Sequence, residues 1–154
     1  MPVNTQKELS NGEIDGDWCI NPQIKFINCP IKTSLGVLGK KWTPLIIRDI
    51  GFLKLGHFNQ ILKSISGLTP RVLSIRLKEL EREGIIECIK EDGTPISVFW
   101  RLTNKGKDVL PILTLLTAFG SKWHSEIVFE DKKPRKLTEI YPTLNIKKMI
   151  QDYL

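Results

Sequence analysis

One stretch of the chain, residues 68–84, constrains the fold more than any other. Thr69 is a plausible N-cap and Pro70 a plausible first residue of a helix, and Gly84 is a plausible stop. At about 100° per residue, three leucines fall on one side of this helix, and the opposite side carries positive and small polar residues. The leucines are Leu73, Leu77 and Leu80, and the opposite side holds Arg71, Ser74, Ile75, Lys78 and Arg82. The pattern predicts a helix that packs along one side and presents a basic face, strongest in its first two turns.

The elements around this helix predict a fold class. Three short amphipathic patterns precede it, and two alternating stretches, residues 85–90 and 96–102, follow it as a β-hairpin with a turn at 91–95. Thr103 then opens a stretch with apolar residues at spacings of three and four, which predicts one long helix. The expected fold is α+β, mainly α: a winged helix-turn-helix DNA-binding domain with a long C-terminal dimerisation helix.

The chain divides into three expected parts. Residues 1–28 form an arm with net charge −2, partly mobile, with a short helix near 22–27 and a surface that packs on a partner subunit. Residues 29–102 form the winged-helix module. Residues 103–154 form the dimerisation helix and a C-terminal extension, whose last 24 residues carry a net charge of +3.

Composition narrows the function classes. The 154 residues contain 23 Lys and Arg against 17 Asp and Glu, giving a net charge of +6, which favours a polyanionic partner such as nucleic acid. No apolar stretch is long enough to span a membrane and the N-terminus lacks a signal core, so we expect a cytoplasmic protein. Three cysteines without a CxxC motif and two distant histidines predict no metal site. No nucleophile–base pair or phosphate loop is evident, so we expect neither an enzyme nor a bound cofactor.

The predicted recognition helix supplies most of the expected contacts with double-stranded DNA. Arg71 and Lys78 are long enough to reach base edges or phosphates, Thr69 and Ser74 can hydrogen-bond to either, and Ile75 can contact a thymine methyl group. The hairpin turn would lie near a phosphate strand. The full expected DNA-binding set is Thr69, Pro70, Arg71, Ser74, Ile75, Lys78, Asn59, Lys90 and Thr94.

Several short motifs, in order, resemble a known family. They include Cys29-Pro30, Gly39 to Thr43, His57 to Ile61, Leu77 to Glu81 and Glu83 to Ile86. Over about residues 29–123 the chain is similar to the HxlR-type winged-helix transcriptional regulators, relatives of the MarR group. The resemblance implies a homodimer that binds a near-palindromic operator as repressor or activator. It also implies dimerisation through the long helix after the wing, together with the helix near Cys29.

Three positions depart from the pattern of this family. The family usually has a second glycine where Lys40 stands, and arginines where His57 and Ser97 stand. The changes at His57 and Ser97 remove phosphate contacts, and the hairpin turn is nearly neutral to acidic. We therefore expect a wing that contributes little to DNA binding.

The apolar stripe after the wing is longer than a small domain needs to cover its own core, which favours a dimer interface. Its expected members are Ile112, Leu113, Leu116, Phe119, Trp123 and Ile127.

A second hypothesis concerns Cys29. Some HxlR-type members use a cysteine at this position to sense oxidants or electrophiles, and a helix N-terminus stabilises a thiolate. The alternative role for Cys29 is a buried structural cysteine at the dimer interface. An oxidant or a small molecule would be the effector.

A rival function comes from a different class of protein. A winged helix can serve as a protein-interaction module in a larger complex without reading DNA. The weak wing and the long tails favour this alternative, and the basic face of residues 71–78 disfavours it. Salt-dependent binding to duplex DNA separates the two functions.

Overall fold

The computed structural model describes residues 22–93 and 95–154. Most of the expected arm, including Trp18 and Cys19, therefore lies outside the described residues, as does Thr94. Residues 22–29 run without helix, so the short helix expected near 22–27 is wrong. This segment leaves Ile24, Phe26 and Ile27 at least half exposed, so it has no packed apolar face to support a helix.

The N-terminal half of the described chain contains helices α1 (Pro30–Leu38), α2 (Thr43–Gly51), α3 (Phe58–Ser64) and α4 (Pro70–Arg82). The predicted start of α4 is confirmed: Thr69 is its N-cap, and its hydroxyl oxygen accepts a hydrogen bond from the Val72 amide at 3.3 Å. The Thr43-Pro44 pair predicts a helix with Thr43 as N-cap and Pro44 as its first residue, but helix α2 starts one residue earlier. Trp42 is the N-cap, in a left-handed conformation with φ of 77°, and Thr43 is the first helical residue.

The hairpin consists of strands β1 (Ile86–Glu91) and β2 (Ser97–Leu102), paired antiparallel from Ile86 opposite Leu102 to Glu91 opposite Ser97. Its inner edge is fixed to the helices by two bonds. The Trp100 amide donates to the Gly56 carbonyl at 2.8 Å, and His57 Nδ1 lies 3.1 Å from the Val98 carbonyl. A Cβ at position 56 would lie 2.8 Å from the Trp100 carbonyl, so this close approach requires glycine. The hairpin is thus held against the chain just before α3.

The core lies between the helices and the hairpin. The α4 leucines identified from the sequence, Leu73, Leu77 and Leu80, are all buried in it. They pack with apolar residues of the other elements: Ile46, Ile47, Ile50, Ile61, Ile65, Leu68, Ile85, Ile86, Leu102, Val109 and Leu113. Burial of one side of α4 in this core leaves its other side at the surface.

The single long helix expected after Thr103 is wrong. The chain instead forms α5 (Asn104–Lys107), α6 (Leu110–Trp123) and α7 (Ser125–Val128). Pro111 has no amide hydrogen to donate to the Lys107 carbonyl, which prevents α5 and α6 from merging. At His124 the backbone leaves the helical region, with φ of −127° and ψ of 30°, and separates α6 from α7.

The C-terminal extension returns along α6. It forms α8 (Leu137–Ile140), α9 (Ile146–Ile150) and a 3-10 turn (Gln151–Tyr153), and both α8 and α9 pack against α6. The Tyr153 hydroxyl donates to the Asp108 carbonyl at 3.1 Å. The end of the chain therefore lies beside the residues that precede α6.

Candidate nucleic-acid interface

Helices α3 and α4, joined by residues 65–69, form a helix-turn-helix with α4 as its second helix. The Thr69 side chain and Pro70 together leave the first turn of α4 with few unsatisfied amide groups. Gly67 adopts a φ of 81° in the turn between the helices, where a residue with a side chain is rarely found. This local geometry fixes the direction in which α4 leaves the turn.

The outward side of α4 presents the residues that the sequence predicted. Arg71, Ile75 and Lys78 are exposed, Ser74 is half-buried, and all four fall within about 100° of the helix circumference. Within the described part of the chain, the side chains of Arg71 and Lys78 take part in no ion pair or hydrogen bond. Both cations are therefore available to an external anion. We call these four residues the α4 face.

The other expected DNA contacts lie on neighbouring elements. Pro70 is exposed at the start of α4, Asn59 is exposed on α3, and Lys90 is exposed near the end of β1. Thr94 lies outside the described residues. His57, at one of the positions that depart from the family pattern, approaches the Val98 carbonyl and lies against the Phe99 ring with centroids 5.9 Å apart. Its side chain connects α3 to the wing.

A cluster of three charged side chains beside the α4 face was not predicted from the sequence, which drew attention to Lys40 only as a departure from the family pattern. Glu79 Oε1 accepts from Lys40 Nζ at 3.0 Å, and Glu79 Oε2 accepts from Arg76 Nη1 at 2.6 Å. Arg76 Nε also donates to the Lys41 carbonyl at 3.2 Å. The hydrogen bond from Lys40, followed by that from Arg76, lowers the pKa of Glu79. The Arg76–Glu79 spacing is visible in the sequence, but the bond to Lys40 spans 39 residues and has no local signal.

Comparison with known proteins identifies the family. The model of the HxlR-like helix-turn-helix family matches residues 37–128. The HTH-type transcriptional regulator YvaP of Bacillus subtilis is 34% identical over 96 residues, which cover 62% of this chain and 88% of that protein. A regulator of the same type from Methanothermobacter thermautotrophicus is 34% identical over 97 residues, covering 63% and 73% of the two chains.

Solved structures agree with this match. The reduced form of the transcriptional regulator YodB from B. subtilis superposes with a TM-score of 0.54 at 29% identity, covering 63% of this chain and 95% of that one. The redox regulator HypR in its oxidised form gives a TM-score of 0.54 at 27% identity, covering 60% and 94%. The chain belongs to the HxlR-like helix-turn-helix family. It is a DNA-binding transcriptional regulator with a winged-helix fold.

This HxlR-like regulator carries an exposed apolar stripe on α6. Ile112, Leu116, Phe119 and Trp123 recur at spacings of four, three and four, and their exposed fractions run from 46% to 61%. Ile127 continues the stripe on α7, and Leu115, which the sequence pattern did not include, is 55% exposed beside it. Leu113 is the exception, because it is only 8% exposed and packs in the core of this chain. The side chain of Leu113 is therefore not available to the expected interface, and its assignment to that interface is wrong.

Cys29 is the N-cap of α1 and its thiol is exposed and free. Its carbonyl accepts from both the amide and the hydroxyl of Thr33, each at 3.0 Å, so the backbone at Cys29 is fixed. None of the residues of α1 is buried, although Ile31 and Leu35 are apolar. Cys88, in β1, is half-buried.

A groove of about 1270 Å³ lies between the hairpin and the helices. Its walls come from α3, β2 and the extension, through residues such as Gln60, Phe99, Trp100 and Met149. We call it the groove behind the wing.

None of the helices formed by residues 22–93 and 95–154 has the length and hydropathy of a membrane span. The same residues contain no group of three or more His, Cys, Asp or Glu side chains placed to hold a metal ion.

Proposed function

We propose that this regulator acts as a homodimer that reads a near-palindromic operator, as repressor or activator, with the α4 face in the major groove. The observation that carries the proposal is the α4 face itself: two exposed, unpaired cations flank Ser74 and Ile75 on a capped helix. Arg71 and Lys78 would contact phosphates or guanine edges, and Ile75 a thymine methyl group. Thr69, Pro70, Asn59, Lys90 and Thr94 would add contacts around this face. A DNA partner favours a cytoplasmic location.

A second copy of the chain is the proposed partner of the apolar stripe on α6. A contiguous exposed apolar patch on a soluble protein commonly marks an interaction surface. Helix α1 supports the same proposal, since only its end packs on the core, through Val37 and Leu38, and Ile31 and Leu35 remain 71% and 56% exposed. A two-fold axis would place the two α4 helices in successive major grooves, about 34 Å apart.

The test of DNA reading begins with selection of duplexes from a random pool by the purified protein. Fluorescence anisotropy then gives the Kd of the selected duplex at several salt concentrations. The logarithm of Kd should rise linearly with the logarithm of the salt concentration. A duplex with the same base composition in scrambled order is the control and should bind more weakly. Failure to enrich any sequence, with no salt-dependent binding to duplex DNA, would instead support the protein-interaction module.

Sensing of oxidants through Cys29 is the second function that we propose. Its support is the exposed free thiol at the start of α1, together with the similarity to HypR, which is described as a redox regulator and was solved in an oxidised form. An oxidant would then be the effector, acting on the thiolate. For a small-molecule effector, the groove behind the wing is the proposed site.

The test of sensing compares wild type with Cys29→Ser and Cys88→Ser after treatment with diamide or peroxide. Treated wild type and Cys88→Ser should lose affinity for the selected duplex, and Cys29→Ser should keep it. Unchanged binding by oxidised wild type would refute this second function and leave the DNA-reading function intact.

A further inference from the structure

The ion-pair cluster formed by Lys40, Arg76 and Glu79, which we call the Glu79 clamp, joins two separate parts of the fold. Both carboxylate oxygens of Glu79 are engaged, one by Lys40 at 3.0 Å and the other by Arg76 at 2.6 Å. Arg76 also donates to the Lys41 carbonyl, so it is held at two nitrogens. The clamp therefore fastens the middle of α4 to the turn before α2.

The clamp lies along the edge of the α4 face. Glu79 follows Ile75 by one turn, so the two residues are about 40° apart around the helix. A bare carboxylate at this position would repel the phosphates beside a groove, whereas two bound cations give the clamp a formal charge of +1. The side chains of Arg76 and Glu79 are 21% and 23% exposed, so they are partly shielded from water.

We propose that Glu79 is a positioning residue for operator reading. It holds α4 at a fixed angle to the rest of the helix-turn-helix, and it keeps Lys40 and Arg76 from binding phosphates indiscriminately. This inference rests on the proposed placement of the α4 face in the major groove.

The proposal separates the effect of Glu79 on stability from its effect on specificity. Partly exposed ion pairs add little to the free energy of unfolding, so removal of Glu79 should change the melting temperature only slightly. The same change removes the negative charge between two cations beside the DNA, so the formal charge of the cluster rises from +1 to +2. Glu79→Gln should therefore bind the scrambled duplex more tightly. The slope of log Kd against log salt concentration should increase by the amount expected for about one additional phosphate contact. The preference of Glu79→Gln for the selected duplex over the scrambled duplex should fall about fivefold, as expected for loss of a coupled contact network.

Glu81→Gln is the matched control, because it makes the same charge change on the same helix. Glu81 is exposed, and within the described residues it forms no ion pair or side-chain hydrogen bond. It should alter binding to both duplexes by the same factor, leaving the preference unchanged. Lys40→Met tests the clamp from its other end, and it should also lower the preference. A double variant that combines Glu79→Gln with Lys40→Met should lower the preference no further than the stronger of these two single changes.

The experiment measures Kd for the selected and scrambled duplexes with the full-length wild type and these four variants. A fall in preference for Glu79→Gln and Lys40→Met, but not for Glu81→Gln, supports the positioning role. Equal preference in Glu79→Gln and wild type would overturn it, as would a fall of the same size in Glu81→Gln. If Glu79→Gln fails to fold, an unchanged preference in Lys40→Met would still overturn it. Absence of any preference in the wild type would refute the proposed function itself.

Discussion

At the scale of single residues, charge in this protein has two distinct uses. Arg71 and Lys78 are exposed and unpaired within the described chain, as DNA-contacting side chains need to be. Asp49 is fully buried, and its Oδ1 accepts from Arg48 Nε at 2.8 Å and from Arg48 Nη2 at 2.6 Å. Arg71 and Lys78 are thus free for the proposed contacts with DNA, whereas Arg48 is engaged in pairing a buried carboxylate.

Arg71→Ala should weaken binding to the selected duplex by about tenfold, since one charge-assisted contact to a base edge or phosphate is lost. The melting temperature should stay within a few degrees of wild type, because the side chain is exposed. Fluorescence anisotropy and circular dichroism measure the two quantities. Arg135→Ala is the control, as Arg135 lies in the extension, paired with Asp131 at 2.7 Å. An Arg71 variant with wild-type affinity would contradict the assignment of the α4 face.

Arg48→Ala should lower the free energy of unfolding by about 2–4 kcal/mol, because it leaves the buried Asp49 carboxylate without its cationic partner. Urea denaturation measures the change. Arg101→Ala removes an exposed pair with Glu87 and should cost less than about 1 kcal/mol. Equal losses in the two variants would show that burial of Asp49 does not govern the effect.

At the scale of secondary-structure elements, close approaches of backbone join the wing to the helices. Gly106, in α5, faces the Ile85 carbonyl, which also accepts a hydrogen bond from the Thr103 amide at 3.1 Å. The Thr103 hydroxyl accepts from the Gly106 amide at 3.1 Å and donates to the Gly84 carbonyl at 2.6 Å. These contacts fix α5 against the junction between α4 and β1.

Gly106→Ala should destabilise the fold by about 1–3 kcal/mol, because a Cβ at this position would overlap the Ile85 carbonyl and force backbone to shift. Gly36→Ala, in α1, is the matched change: a Cβ there meets no atom within 4 Å. It should stabilise the protein by less than about 1 kcal/mol. Thermal unfolding of both variants checks the pair, and a neutral Gly106→Ala would argue against tight packing at this junction.

Local signals predicted most of the elements, and the failures have both local and long-range causes. Thr69 and Thr103 were recognised as caps because N-caps depend on a few adjacent residues, and both are confirmed. The break between α5 and α6 was missed because the apolar spacing continues across Pro111. The left-handed Trp42 was also missed, since bulky residues rarely adopt that conformation. Lys40 lies far from Glu79 in sequence, so no periodicity could have revealed their pairing.

At the scale of the whole molecule, the described residues 22–93 and 95–154 leave the stripe on α6 exposed, while α8 and α9 pack against α6. The extension and the stripe therefore divide α6 between them. The family match ends at residue 128, so the packing of α8 and α9 is an addition to the matched region.

Leu116→Glu should convert the proposed homodimer into monomers, because it places a charge at the centre of the apolar stripe. Binding to the selected duplex should fall with it, since a monomer reaches only one half-site. Leu53→Glu is the matched control: Leu53 is 52% exposed, close to the 56% of Leu116, but lies two residues after the end of α2. Analytical ultracentrifugation measures the outcome, and a wild-type monomer would contradict the dimer.

The return of the extension to Asp108 has a practical consequence for anyone labelling this protein. A fluorophore or affinity tag attached after Leu154 would sit beside α5 and the base of the hairpin, not at the far end of α6. A dye at that position should report on movements of the hairpin. A bulky fusion there should disturb the tyrosine contact, so a small label suits this end of the chain better.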